Sequence, residues 1–382
     1  MRRVPIIFLL VATVAAPCAA WAAPAAPLGT ERASAVIRSL VRLQGDVGNL
    51  VNSLAPARSD VASMVALGRE FPLERRLLDA DLFFETKDYD RASTLYRDLV
   101  DNPAFRSSPG FYRAVRKLGD SLFLLRNYRS ARTYLEQAAV PMAGAEFNPA
   151  IARLFEIAVL TRDYAQADRF ESLAATGVLP PETLYSYAKY LFHRGRRVQS
   201  AEVFARVPAG SGPYARAVYF LGVIEAGSKR LESALDRFSV AAIQPVRDDA
   251  DREVQAQATL SKARMQYELG RFQDALATFQ EIDPKSGAFL DSLFDLAWTY
   301  LKVDEPARAE HALDILLMSA PPGELQLKAS ALRGRILSRL NDNAGAAEAY
   351  QEVSDTLSPV ANELESIARE PKNLAAYFDW II

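Results

Sequence analysis

The chain has 382 residues, with 45 Lys and Arg against 47 Asp and Glu, two histidines and one cysteine. A net charge of −2 gives no field for a polyanion, so nothing in the balance favours nucleic acid as a partner. Half of the residues are hydrophobic, enough to build a large core.

In chain order, residues 1–22 read as a secretory signal. Arg2 and Arg3 supply positive charge, Ile6 to Ala16 form an apolar run of 11 residues, and Ala20-Trp21-Ala22 offers small residues for cleavage. The run is too short to span a bilayer, which needs about 20 residues. Lipidation at Cys18 is the lesser alternative, because Ala15-Ala16-Pro17 is a poor lipobox. Removal of the leader takes two arginines from a charge of −2, leaving −4, and takes the only cysteine. Disulfides, thiol catalysis and cysteine metal sites are then excluded. The expected compartment is the periplasm, with any outer-membrane association made through partners.

Residues 23–66 form a separate piece. After a lead containing Pro24, Pro27 and Gly29, apolar residues fall at Ala33, Val36, Leu40, Leu43, Val47, Leu50 and Leu54, in alternating steps of 3 and 4. That is a heptad seam, and it has two readings: a coiled coil that oligomerises the chain, or an amphipathic helix that caps the first helices after residue 66. Gly45 and Gly48 weaken an isolated helix there by about 1 kcal/mol each.

A signature then recurs eight times over residues 67–357. Its fullest copy is Gly270-Arg271-Phe272-Gln273-Asp274-Ala275, followed by Phe279. The alanines read as Ala92, Ala131, Ala167, Ala201, Ala234, Ala275, Ala309 and Ala347, with steps of 39, 36, 34, 33, 41, 34 and 38. A small residue early in a second helix lets two helices nest, and a large residue four positions on fills the gap to the next pair. Leu118-Gly119, Leu221-Gly222 and Leu296-Ala297 mark the matching spot on first helices. In copies three, four and eight, Phe155, Lys189 and Arg335 stand where a small residue is usual.

A two-helix unit with a period near 34 resembles the tetratricopeptide repeat (TPR) family. The resemblance implies an all-α fold, a right-handed superhelix of about eight helix-turn-helix repeats, with first helices lining the inner surface. After the repeats, Ser358-Pro359 is expected to open a further helix through Arg369. Pro371 breaks it, and an apolar terminus, Tyr377 to Ile382, completes residues 358–382.

No constellation carries catalysis. His193 and His311 lie far apart, and neither a metal-spaced cluster nor a phosphate loop nor a nucleophile elbow occurs. Asp248, Asp249 and Asp251 read as helix-start charge. No enzyme activity and no cofactor are therefore expected. The inward positions of the first helices hold Tyr190, His193, Arg194, Arg216, Tyr219, Arg264, Tyr267, Phe294, Trp298 and Lys302. Aromatic and arginine residues dominate recognition surfaces, so this stripe is the candidate partner-binding site. The expected function is a scaffold for protein or peptide partners in the cell envelope. Exported TPR proteins that the chain resembles suggest outer-membrane assembly (the BamD-like family), cell-division coordination or gliding motility. The alternatives are a homo-oligomer built through the heptad segment and an accessory subunit of cell-wall enzymes.

Overall fold

A computed structural model describes residues 72–141, 144–165, 167–171 and 178–369. The leader with Cys18, the heptad segment, the break at Pro371 and the apolar terminus lie outside the described residues.

The chain divides into two compact units between Arg206 and Val207. In the first, α1 (Pro72–Glu85) pairs with α2 (Tyr89–Asp101), and α3 (Phe111–Leu124) with α4 (Tyr128–Ala138). Helix α5 (Phe147–Thr161) precedes a helical turn at 168–171, and α6 (Pro181–His193) pairs with α7 (Arg197–Ala205). The second unit holds four pairs: α8 (Tyr214–Gly227) with α9 (Leu231–Ala242), α10 (Asp249–Glu268) with α11 (Phe272–Gln280), α12 (Phe289–Lys302) with α13 (Pro306–Ser319), and α14 (Glu324–Arg339) with α15 (Asn343–Arg369). No strand occurs among the described residues. The all-α expectation holds.

What ends each first helix is a single left-handed residue. Lys87, Arg126, Arg162, Gly195, Lys229, Gly270, Asp304 and Asn341 have φ between 55° and 80°, one in each copy. In seven of the eight copies the next amide then bonds back five residues, as Asp88 does to Phe83 (2.9 Å) and Arg271 to Gln266 (2.8 Å). Those bonds satisfy carbonyls that a helix terminus leaves unpaired, and they turn the chain into the second helix.

This turn fixes the register, and it corrects two copies. Five residues after the left-handed position stand Ala92, Ala131, Ala167, Ser200, Ala234, Ala275, Ala309 and Ala346. The nesting residue of the fourth copy is thus Ser200, fully buried with its hydroxyl donating to the Ala188 carbonyl at 2.8 Å. In the eighth copy it is Ala346, while Ala347 is exposed. Arg197 and Asn343 stand where most copies carry an aromatic or apolar marker, so the cue that sets register is missing there.

The same frame relocates the small residue of the first helix, seven positions before the turn. It is Ala188 in the fourth copy and Gly334 in the eighth, so Lys189 and Arg335 are one residue off the spot. Only Phe155 departs. Its ring is fully buried against Tyr187 (5.2 Å between centroids) and Tyr190 (4.9 Å).

Close approach explains the glycines. A Cβ on Gly119 would come 2.7 Å from the Leu135 side chain, and one on Gly222 would come 2.6 Å from the Phe238 ring. On one side of each unit successive first helices also touch: α1 with α3, α3 with α5, α8 with α10, and α10 with α12.

The helix expected to begin at Ser358-Pro359 is not separate. Helix α15 runs 27 residues, through Pro359, to Arg369. A proline there removes one backbone hydrogen bond, to the Asp355 carbonyl, and the helix carries on past it.

Candidate functional site

Side chains that join successive first helices are mostly charged, and they are mostly paired with one another. From α3, Arg113 reaches Asp81 of α1 (2.5 Å) and Lys117 reaches Glu85 (3.0 Å). Asp120 of α3 receives Arg153 of α5 at 3.2 Å, and Arg153 also pairs with Glu156 at 2.5 Å. Arg116 bridges Asp120 and Glu146. In the second unit, Arg264 of α10 holds Asp295 of α12 at 2.6 Å, both nearly out of solvent. A buried pair in this geometry works as a staple between helices.

That role removes several predicted residues from an open surface. In the first unit Tyr190 is fully buried, and its hydroxyl donates to Asp168. Arg194 pairs with Asp168 and donates to the Tyr190 oxygen at 2.9 Å. Burial, with Asp168 as acceptor, pushes the Tyr190 phenol up to about 12. His193 is half-buried, with Nε2 out of solvent and without a hydrogen-bond partner. Burial lowers it to about 4, with Lys189 and Arg162 adding to the effect, so it is neutral at pH 7.

In the second unit, Tyr219 (4 % exposed) lies against Phe238 at 5.5 Å, and Arg264 is 3 % exposed. Burial raises the Tyr219 hydroxyl above its ordinary value. Tyr267 is half-buried, edge-on to Phe272, and Arg216 is half-buried. Of the ten inward positions, Tyr190, Tyr219 and Arg264 are thus taken up by contacts between helices, while six others are half-buried and Lys302 is exposed.

Trp298 and Lys302 are placed differently. With Leu301, Arg335, Ile336 and Arg339 they line an open cleft of about 150 Å³ between α12 and α14. Phe294 lies a turn before Trp298, partly buried against the same core. The Arg335 guanidinium lies 5.8 Å from the Trp298 ring centre, over its face. Arg339 pairs with Asp304 at 2.5 Å, an exposed contact of little strength. Lys302 and Arg335 have no carboxylate partner among the described residues. Three cations thus face one carboxylate around an indole, where the earlier first helices are nearly balanced. Arg335 and Arg339 do not stand out in the sequence because the eighth copy, aligned on Ala347, is one residue out of register. The turn at Asn341 puts Arg335 and Arg339 six and two residues before it, beside the cleft.

Among the described residues no group of three or more His, Cys, Asp or Glu is placed to hold a metal ion. No described helix is long and apolar enough to cross a membrane.

The family model described as Tetratricopeptide repeat matches residues 77–149, 239–288 and 294–359. No curated protein sequence matches the chain. Among solved structures, the APC/C hetero-tetramer Cut9-Hcn1 is similar with a TM-score of 0.50 and 17 % identity, over 68 % of this chain and 48 % of that one. Human IFIT1, as a dimer with m7Gppp-AAAA, aligns with a TM-score of 0.47 and 13 % identity, over 81 % of this chain and 79 % of that one. Pseudomonas aeruginosa pilF gives 0.41 and 14 %, over 68 % and 97 %. At these identities the likeness is one of fold.

Proposed function

We propose that this chain, which belongs to the tetratricopeptide-repeat family and is a protein-interaction scaffold of that class, holds a partner segment at the 298–339 cleft. The observation that carries this reading is the uncompensated charge there. Lys302 and Arg335 sit at the mouth of a preformed cleft whose floor is Trp298, Leu301 and Ile336. A preformed cleft loses little entropy on binding, and an indole beside cations suits a segment with a carboxylate next to an apolar side chain. Exposed ion pairs are worth little, so a ligand carboxylate can take Arg339 from Asp304 at small cost.

The setting we propose is the cell envelope, reached by export on residues 1–22. The leader's charge, apolar run and small-residue site support that, and removal by signal peptidase would leave a chain starting at Ala23. N-terminal sequencing of the protein from a periplasmic extract is expected to read Ala23 onward. An intact leader on a cytoplasmic protein would contradict the export reading.

The binding reading is tested by photo-crosslinking in the cell from position 302. Capture of one envelope protein that is lost with Arg335→Glu supports it. Capture that survives Arg335→Glu, or none while a probe at the buried Tyr219 position stays equally silent, removes the cleft from the account.

A further inference from the structure

Four residues after the nesting residue, six pairs carry a large side chain that is 3 % exposed or less: Tyr96, Leu135, Phe204, Phe238, Phe279 and Leu313. In α15 the same position holds Tyr350, which is 46 % exposed. Its stripe continues through Val353, Leu357, Val360 and Leu364, in steps of 3, 4, 3 and 4. The last three are 47, 53 and 55 % exposed. Within each unit the earlier second helices are covered by the first helix of the next pair, as α2 is by α3 and α9 by α10, and on α15 the corresponding face is an open socket drawn out over three more turns.

The socket needs an occupant. From Ser354 to Ser366 every residue of α15 is exposed. A helix of that length, unsupported, is marginal in water, and Pro359 takes away one of its hydrogen bonds. The stripe is flanked by Glu352, Asp355, Glu363 and Glu365, and no Lys or Arg occurs from 343 to 368. The occupant is therefore an amphipathic helix with the same 3–4 apolar alternation and basic rather than acidic flanks.

One segment of this chain has that chemistry. Residues 33–54 carry seven apolar positions in alternating steps of 3 and 4, with Arg38 and Arg42 against a single acid, Asp46. As a helix, 22 residues extend roughly 33 Å, more than the roughly 21 Å from Tyr350 to Leu364. The segment is joined through 55–71 to α1, which opens the repeat series, whereas α15 is the last helix described. We propose that residues 33–54 of one copy dock along Tyr350 to Leu364 of a second copy, joining copies head to tail. Donor and acceptor surfaces differ, so the contact is heterologous and each copy keeps one of each to offer.

The test uses the exported chain without its leader. A photo-reactive residue replaces Leu357 in an equal mixture of isotopically light and heavy protein. The expected products join position 357 of one label to residues 33–54 of the other. Sedimentation is expected to show association weakened at least tenfold by Leu357→Asp with Leu364→Asp, with the thermal unfolding of the repeats unchanged because both sites are exposed. Arg38→Glu with Arg42→Glu is expected to weaken association in the same direction. Products confined within one label, products with residues 374–382, a monomer at every concentration, or association indifferent to the aspartates would each overturn the proposal.

Discussion

Arg264 and Asp295 illustrate how much one pair of side chains carries in this array. Both are buried, and each leaves an uncompensated charge if the other is removed. Arg264→Ala is expected to cost about 3–5 kcal/mol in urea unfolding of the second unit. Arg113→Ala breaks a pair whose arginine is half exposed, and is expected to cost about 1 kcal/mol or less. Equal effects from the two would mean that burial does not set the value of these staples. His193 gives a pH signature. Its value is about 4 in the fold against an ordinary 6.5, so the unfolded chain binds more protons between those limits. The stability that depends on its neutral form is complete above about 6.5 and is lost as pH falls toward 4. The urea midpoint of the parent chain is expected to fall across that window more steeply than that of His193→Gln. Parallel curves would place the imidazole in solvent.

At the scale of the element, the turn matters more than the alanine that first attracts notice. Six of the eight left-handed positions carry a residue other than glycine. Each such residue in that conformation costs about 1 kcal/mol relative to glycine. Arg126→Gly is expected to raise stability by about that amount and Gly270→Ala to lower it by as much, measured by chemical denaturation. Gly222→Ala meets the Phe238 ring and is expected to cost about 1–3 kcal/mol by overpacking. The period, the helix pairs and the nesting residues of six copies were legible in the sequence because a small residue beside a large one leaves a strong mark. Ser200 and Ala346 were not, since the marker three residues earlier is Arg197 or Asn343. Nor was the fate of the inward side chains. An arginine on a first helix looks the same in sequence whether it meets Asp295 from the next repeat, as Arg264 does, or no carboxylate, as Arg335 does. Charge pairing between residues about 30 apart is a property of the stack, and only the assembled register reveals it.

At the scale of the whole molecule, the repeats of each unit supply a frame, and what remains unpaired on it says where other molecules attach. Ion pairs between first helices use up most of the inward charge, leaving the 298–339 cleft cationic. The last second helix leaves an apolar face uncovered. A scaffold of this kind needs no moving part: partners bind to surfaces already in place, and affinity is set by the few side chains left free. Salt should therefore act on the cleft more than on the Arg264–Asp295 staple, because the cleft's cations are exposed and that pair is buried. The most direct measurement is affinity capture of the protein's partners with the parent chain, with Lys302→Glu plus Arg335→Glu, and with Arg91→Glu as an exposed control far away in sequence. The account predicts one partner retained by the parent and the control, and reduced at least tenfold by the cleft variant. Retention of the same partner by all three would contradict it.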